Sequence, residues 1–143
     1  MSDPPHLPAS VAKMMAEDRA SASMGMSVDE AGEGRAVVRM RIGPEMVNGH
    51  AIAHGGLVFA LADSAFAFAC NTYNESTVAA AAAIDFLAAA RAGDELTAEA
   101  SELWRTKRNG IYEISISNQR GERVALFRGR SYRIAGQVTA MEE

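Results

Sequence analysis

The sequence predicts an α+β fold in which an antiparallel β-sheet wraps around one long, apolar helix. Residues 57–73 are rich in good helix formers and are apolar nearly all round, which is typical of a helix buried on every side. A hairpin pattern precedes this segment, and a run of alternating strands follows it. One small sheet cannot enclose such a helix, so we also expect a second copy of the chain to complete the enclosure.

The chain before the central helix shows three shorter elements. Residues 9–20 have the apolar spacing of an amphipathic helix, and residues 24–30 fit a first strand. Residues 35–42 alternate between apolar and arginine-rich positions, which predicts a second strand. The glycines within residues 31–34 predict the turn of a hairpin.

After the central helix the pattern changes to that of strands. Residues 77–90 are apolar and alanine-rich, so helix competes with strand there, but the Gly93-Asp94 turn and the alternation beyond it favour a strand. Asn109-Gly110 is a hairpin signal. Further strands are expected near residues 96–100, 112–117 and 123–134.

Length and composition indicate one soluble domain over residues 1–143, with loose tails at 1–8 and 136–143. The net charge of −4 argues against nucleic-acid binding. The single cysteine, Cys70, excludes an internal disulfide and fits a reducing compartment. No signal peptide is recognisable at the N-terminus, and a carboxylate interrupts the apolar helix, so we expect a cytoplasmic protein without a membrane span.

The turn that opens the central helix, residues 48–56, is the first candidate for chemistry. It reads Asn48-Gly49-His50-Ala51-Ile52-Ala53-His54-Gly55-Gly56. Paired glycines let the backbone approach a ligand closely, and the following helix leaves free N–H groups at its positive end. Such a site favours a phosphate or the oxyanion of an attacked carbonyl. Because no Walker-type lysine follows, the oxyanion is favoured.

A carboxylate in the middle of this helix, Asp63, is the second candidate. An apolar setting raises the pKa of a carboxyl group and makes it a stronger base. A buried acid satisfied by local hydrogen bonds is an equally open interpretation. His50 and His54 are four residues apart, as in helical zinc sites, but neither a third ligand nor a metalloprotease glutamate accompanies them, so no metal is expected.

The motifs of this chain resemble those of the hotdog-fold acyl-CoA thioesterases, and most of all the PaaI-type branch of phenylacetate degradation. The resemblance covers residues 16–139, and residues 63–71 and 127–134 point to the branch. Its motifs are Asn48-Gly49, His54-Gly55-Gly56, Leu61-Ala62-Asp63, Ile84-Asp85-Phe86-Leu87, Gly93-Asp94 and Ala125-Leu126-Phe127-Arg128-Gly129.

The resemblance implies a hotdog fold, and a homotetramer built as a dimer of dimers with active sites at the dimer interface. It implies that Asp63 is general base or nucleophile and that Gly55 polarises the carbonyl. His54 and Asn48 would shape the site, and Asp63 would face these three residues of the partner subunit. Coenzyme A is then part of the substrate, and no cofactor is required.

Two features bear on substrate recognition. Arg128 and Arg130 share a strand face, so either is a candidate for the CoA phosphates, although a solvated face is the favoured interpretation for each alone. Where the family often has Arg-Pro, this chain has Ala88-Ala89, which leaves the acyl preference open.

Three functions compete at this stage. The first is hydrolysis of phenylacetyl-CoA or ring-hydroxylated phenylacetyl-CoA by an acyl-CoA thioesterase. The second is hydration or dehydration of an enoyl-CoA on the same fold, with His54 as the acid–base group. The third is a non-catalytic acyl-CoA binding module.

Overall fold

The structure is a computed structural model that describes residues 6–140. Three helices, one short 3₁₀ helix (Pro44–Met46) and six strands make up this part of the chain. The helices are α1 (Ala9–Glu17), α2 (Arg19–Ser23) and α3 (Gly55–Cys70). The strands are β1 (Ser27–Gly32), β2 (Arg35–Arg41), β3 (Thr77–Phe86), β4 (Glu95–Arg105), β5 (Asn109–Ser117) and β6 (Arg123–Arg133).

The six strands form one antiparallel sheet around α3, which confirms the predicted α+β hotdog architecture. The strand order is β1-β2-β4-β5-β6-β3, and α3 packs mainly on β2, β4 and β5. Phe66 of α3 is fully buried, with its ring 5.5 Å from that of Tyr112 and 5.9 Å from that of Phe127. Aromatic contacts at these separations add to the area buried and fix how the helix sits in the sheet.

One face of α3 is not covered within one chain, which agrees with the expectation that one small sheet cannot enclose this helix. Gly56 is exposed, and Ala60, Asp63 and Ala67 are only half-buried. Their spacing of four, three and four residues places them on a single stripe of the helix. The apolar composition of α3 therefore exceeds what the sheet of its own chain covers.

Strand β3 is the edge of the sheet beside β6, and its side chains are exposed almost throughout. The strand holds mostly alanines, and Val78 and Phe86 near its two ends are 45% and 56% exposed. Monomeric proteins usually protect such an edge with charge, proline or a covering segment. This edge is mostly apolar and carries one charged residue, Asp85, so it is a surface suited to pairing with another chain.

Several element boundaries differ from the sequence prediction: α3 is Gly55–Cys70 rather than 57–73, and β1 is Ser27–Gly32 rather than 24–30. The third strand ends at Phe86 rather than at residue 90, because the chain leaves the sheet there and Ala90 accepts a hydrogen bond from the N–H of Ala53. Asn109-Gly110 is not a turn but the start of β5. A Cβ on Gly110 would lie 2.7 Å from the Ser131 hydroxyl, so this glycine serves close strand packing.

The N-terminal helix and the C-terminal segment also need correction. Asp18 breaks the predicted helix into α1 and α2, and its carboxylate caps α2 by accepting from the N–H of Ser21. Residues 136–140, expected to be a loose tail, are anchored because the Asn74 amide exchanges two hydrogen bonds with the backbone of Thr139. Of the tails, residues 1–5 and 141–143 lie outside the described residues.

Candidate active site

The turn before α3 is held in shape by Asn48. Its Oδ1 accepts hydrogen bonds from the N–H groups of His50, at 2.9 Å, and Ile52, at 3.4 Å. The turn also places Ala51 at a φ of 62°, a conformation that non-glycine residues seldom adopt. The Asn48 side chain thus organises the loop, and its Nδ2 has no acceptor within residues 6–140.

The N–H groups at the start of α3 leave one donor free. His54 caps the helix: its Nδ1 accepts from Gly56 at 3.1 Å, and its carbonyl accepts from Leu57 at 2.9 Å and Val58 at 3.3 Å. The N–H of Gly55 has no acceptor within residues 6–140. This donor lies at the positive end of a 16-residue helix, where a developing negative charge is stabilised.

The capping bond also defines the state of the His54 ring. Because Nδ1 accepts a hydrogen bond, the proton of the neutral imidazole is on Nε2. The residue was predicted to shape the site, and its contact explains how: it consumes the Gly56 N–H and leaves that of Gly55. A role as the main acid–base group would require Nδ1 to release this contact or Nε2 to act alone.

A cavity of about 380 Å³ opens beside Gly55. Gly55 has no side chain to narrow it, and a Cβ there would lie 3.2 Å from the ring of Phe86. The walls are apolar apart from the amide of Asn48, as is usual for a site that receives an apolar ligand. They are formed by Asn48, Ile52, Ala53, Gly55, Val58, Phe86, Leu87, Ala88, Ala89, Ala90 and Val124.

Asp63 is a half-buried carboxylate without a counter-charge. It makes no hydrogen bond or ion pair with any residue from 6 to 140, which disfavours the interpretation of a locally satisfied buried acid. Burial raises its pKa above the ordinary value of 3.8, because desolvation penalises the ionised form. A carboxylate in this state is a stronger base than an exposed one.

The structure brings Asn48, His54 and Gly55 together but leaves Asp63 apart from them. Asp63 is eight positions after Gly55 in α3, which corresponds to about 12 Å along the helix axis. A base and an oxyanion donor must lie within hydrogen-bond reach of the same reacting group. Within one chain, the carboxylate of Asp63 is therefore too far from the N–H of Gly55 for both to act on the same reacting group.

The remaining predicted residues, Arg128 and Arg130, do share a face of β6, but it is the outer face of the sheet. They are exposed while Phe127, Gly129 and Ser131 are buried toward α3. Arg128 pairs with Glu113 at 3.3 Å. Their role in binding CoA stays a prediction. Among residues 6–140 no three metal-ligating side chains come together, and no helix is long and apolar enough to span a membrane.

Val124 is a cavity-lining residue that the sequence did not single out. It lies in an ordinary apolar strand pattern and is buried, and only the fold places it in the wall of the cavity. Ile52 lies within the 48–56 turn, where the pattern drew attention to the glycines and polar residues. Phe86 and Leu87 were visible as part of a motif, although nothing in the pattern said that 56% and 53% of their surface remains exposed.

A helix wrapped by a curved antiparallel sheet, with a free N–H in the turn that opens it, defines the hotdog class of acyl-thioester enzymes. Comparison with known proteins agrees, since residues 50–125 match the Thioesterase superfamily. The chain is 46% identical to the acyl-coenzyme A thioesterase PaaI of Escherichia coli (strain K12) over 126 residues, which are 88% of this chain and 90% of that protein.

Comparison with solved structures indicates the same family. The E. coli PaaI protein from the phenylacetic acid degradation operon superposes with a TM-score of 0.85 at 42% identity, covering 92% of this chain and 99% of that one. A substitution variant of the phenylacetic acid degradation protein PaaI from Thermus thermophilus gives a TM-score of 0.79 at 34% identity, covering 82% and 100%. The chain belongs to the Thioesterase superfamily and is a PaaI-like acyl-CoA thioesterase, a thioester hydrolase.

Proposed function

We propose that the protein hydrolyses phenylacetyl-CoA, or a ring-hydroxylated phenylacetyl-CoA, to the free acid and CoA during phenylacetate catabolism in the cytoplasm. The observation that supports this most directly is the unpaired N–H of Gly55 at the mouth of an apolar cavity of about 380 Å³. An arylacetyl group is flat and apolar and suits walls of this kind. The small side chains of Ala88 and Ala89 leave room for a ring.

The proposed chemistry needs one oxyanion donor and one carboxylate. The Gly55 N–H binds the thioester oxygen and stabilises the negative charge that forms when the carbonyl carbon is attacked. Asp63 takes a proton from the attacking water, the C–S bond breaks, and the proton passes to the CoA thiolate. Direct attack by the Asp63 carboxylate, followed by hydrolysis of the anhydride, uses the same atoms and remains the alternative.

The site requires a second copy of the chain. The open stripe of α3 that holds Asp63 and the exposed edge β3 both lack cover in one chain. Pairing of two copies would bring Asp63 of one to Gly55, His54 and Asn48 of the other, as the family resemblance implies. We therefore propose a homo-oligomer, a tetramer formed as a dimer of dimers, as the active species.

Thiol release from a panel of CoA esters tests this proposal. The panel comprises phenylacetyl, hydroxyphenylacetyl, benzoyl, short aliphatic and long aliphatic esters, assayed with wild type and Asp63→Asn. We expect the arylacetyl esters to give the highest kcat/KM, and the variant to lose at least about 100-fold in kcat for all of them. Light scattering should give the same oligomer mass for both proteins.

The two parts of the proposal can fail separately. A preference for aliphatic esters that still collapses in Asp63→Asn would refute the substrate and keep the mechanism. Unchanged turnover in a folded, oligomeric Asp63→Asn variant would refute the assigned role of this carboxylate. The substitution keeps the size and shape of the side chain, so packing is not a competing cause.

A further inference from the structure

A cluster of basic side chains lies at the end of α3 opposite the glycine turn. Arg105 is the last residue of β4, Lys107 and Arg108 lie in the connection between β4 and β5, and Arg133 is the last residue of β6. All four line one surface hollow together with Cys70, the last residue of α3. Because the chain as a whole carries a net charge of −4, this end is a local reversal of charge.

The cluster has more cations than it has partners for them. Glu75 accepts from Arg105 and from Arg133, each at 3.3 Å, and is the carboxylate that pairs with the cluster. Lys107 and Arg108 form no ion pair within residues 6–140. Four positive charges therefore face one negative charge, and this imbalance favours an anionic ligand.

The unpaired cations border a cavity rather than a flat surface. Lys107, Arg108 and Arg133 line a space of about 240 Å³ with Ile134 and Ala135. The N–H of Arg133 donates to the carbonyl of Arg108 at 2.8 Å, which ties the connection to the end of β6. A cavity of this size accepts a phosphate group, and guanidinium groups bind phosphate through paired N–H donors.

The cavity also lies on the correct side of the sheet. Side chains alternate along β6, with Gly129 and Ser131 turned toward α3 and Arg128 and Arg130 turned outward. Arg133 is two residues after Ser131, so the alternation turns it to the same side of the sheet as α3. Its ion pair with Glu75, which follows the end of α3, is consistent with this side. A ligand that passes along α3 therefore meets Arg133 and its neighbours, whereas Arg128 and Arg130 are on the opposite face.

The distances suit one ligand in particular. Cys70 is seven positions after Asp63 in α3, which is about 10 Å along the helix. The pantetheine arm of CoA has about as many bonds between its sulfur and its first phosphorus as four extended residues, so it spans about 14 Å. From Gly55 of the same chain the basic cavity is about 22 Å away, which the arm does not reach.

We propose that Lys107, Arg108 and Arg133 bind the phosphates of the CoA nucleotide whose thioester is placed at Asp63 of the same chain. This inference rests on the proposed function, because it takes acyl-CoA as the ligand. The nucleotide is remote from the reacting carbonyl, so its contacts contribute equally to substrate and transition state. Such uniform binding lowers KM and leaves kcat unchanged.

The test compares two thioesters of the same acid, the CoA ester and the N-acetylcysteamine ester, which lacks phosphate. With the double variant Lys107→Glu, Arg108→Glu, we expect KM for the CoA ester to rise about tenfold or more while kcat stays within about twofold. The short ester should give the same KM as with wild type. Adenosine 3′,5′-diphosphate should inhibit wild type competitively and lose this effect in the variant.

Arg19→Glu is the matched control, because it changes the charge of an exposed residue on α2 outside the cluster. An unchanged KM for the CoA ester, an equal rise for both esters, or an equal rise in the control would each overturn the inference. Wild type that releases no thiol from either ester would overturn the proposed function instead. The two failures are therefore distinguishable in one set of assays.

Discussion

The polar groups at the two ends of α3 differ in whether they have hydrogen-bond partners. At the C-terminal end, Asn71 is buried, and its amide donates to the carbonyls of Ala67 at 2.8 Å and Thr77 at 2.9 Å. Its Oδ1 accepts from the N–H of Thr77 at 3.0 Å, and its own carbonyl accepts from the Ser10 hydroxyl at 2.8 Å. At the N-terminal end, the N–H of Gly55 has no acceptor within residues 6–140.

This contrast separates the parts of the helix that hold the fold from the parts that react. Satisfied polar groups in the interior stabilise a structure, and a donor that is oriented but unpaired costs stability unless a ligand takes it up. The C-terminal end should therefore control stability with little effect on turnover. The N-terminal end should control turnover with little effect on stability.

Removing the free donor is the most severe test of the contrast. Gly55 is the first helical residue, where proline is tolerated, and His54 has the extended backbone (φ −60°, ψ 128°) that a residue before proline requires. Gly55→Pro deletes this N–H and should lower kcat by about 100- to 1000-fold with the helix intact. Steady-state kinetics and circular dichroism measure the two effects.

Gly55→Ala is the control for this change, because it adds the same contact with Phe86 and keeps the N–H. It should retain most of the kcat that proline removes. Mixing Gly55→Pro with Asp63→Asn should then restore activity, since one site of each mixed pair combines an intact Gly55 with an intact Asp63. Mixed oligomers without recovered activity would show that the two residues do not meet across copies.

The second prediction concerns the C-terminal end of α3, where the polar groups have hydrogen-bond partners. Asn71→Ala leaves the half-buried N–H of Thr77 and two carbonyls without the Asn71 side chain as partner, and should lower the free energy of unfolding by about 3 kcal/mol. Ser10→Ala removes only the bond to the carbonyl of residue 71 and should cost about 1 kcal/mol. Urea denaturation gives both values. A kcat per folded enzyme that falls with either change would break the division between the two ends.

The sequence predicted the groups of the N-terminal part of α3 better than those at its C-terminal end, because the signals in the N-terminal part are local in sequence. Paired glycines before an apolar run and a carboxylate inside it are local signals, so Gly55 and Asp63 were visible in the pattern. Ser10 and Asn71 are 61 residues apart, and only the folded chain brings them together. The same holds for the basic cavity, because Lys107 and Arg108 in the β4–β5 connection meet Arg133 at the end of β6 only in the folded chain.

The covering of α3 shows another limit. The sequence indicated a helix apolar all round and hence a second copy, but periodicity alone did not identify the stripe of Ala60, Asp63 and Ala67 that one chain leaves open. That required the folded structure, in which the burial of each residue along α3 shows the positions that the sheet of one chain leaves open.

The third prediction uses the raised pKa of Asp63. The folded state holds this carboxyl group more readily in its neutral form, so ionisation at neutral pH destabilises the fold, and stability is regained as the pH falls through the raised pKa. Asp63→Asn should therefore unfold at a higher urea concentration than wild type at neutral pH. The difference should vanish below pH 3.8, the ordinary value for the group.

The raised pKa of Asp63 also determines where kcat/KM falls at acidic pH. In wild type, kcat/KM should fall as Asp63 is protonated, with an apparent pKa above 3.8. A variant that is less stable than wild type at neutral pH would mean that the carboxylate has a favourable partner in the assembled enzyme. Asp63 would then be a satisfied polar group like those at the C-terminal end of α3, and not one of the unpaired, reactive groups.

The smallest effect is expected on the outer face of the sheet. The ion pair of Arg128 with Glu113 is exposed, with 62% and 46% of the two side chains accessible, so Arg128→Gln should change the free energy of unfolding by no more than about 0.5 kcal/mol. The KM for acyl-CoA should stay within about twofold of wild type, because this face points away from α3. Thermal unfolding and the CoA-ester assay measure the two quantities. A rise in KM as large as that of the Lys107 and Arg108 variant would place the nucleotide on the outer face, where the sequence pattern first suggested it, and would mean that the substrate crosses the edge of the sheet rather than following the helix.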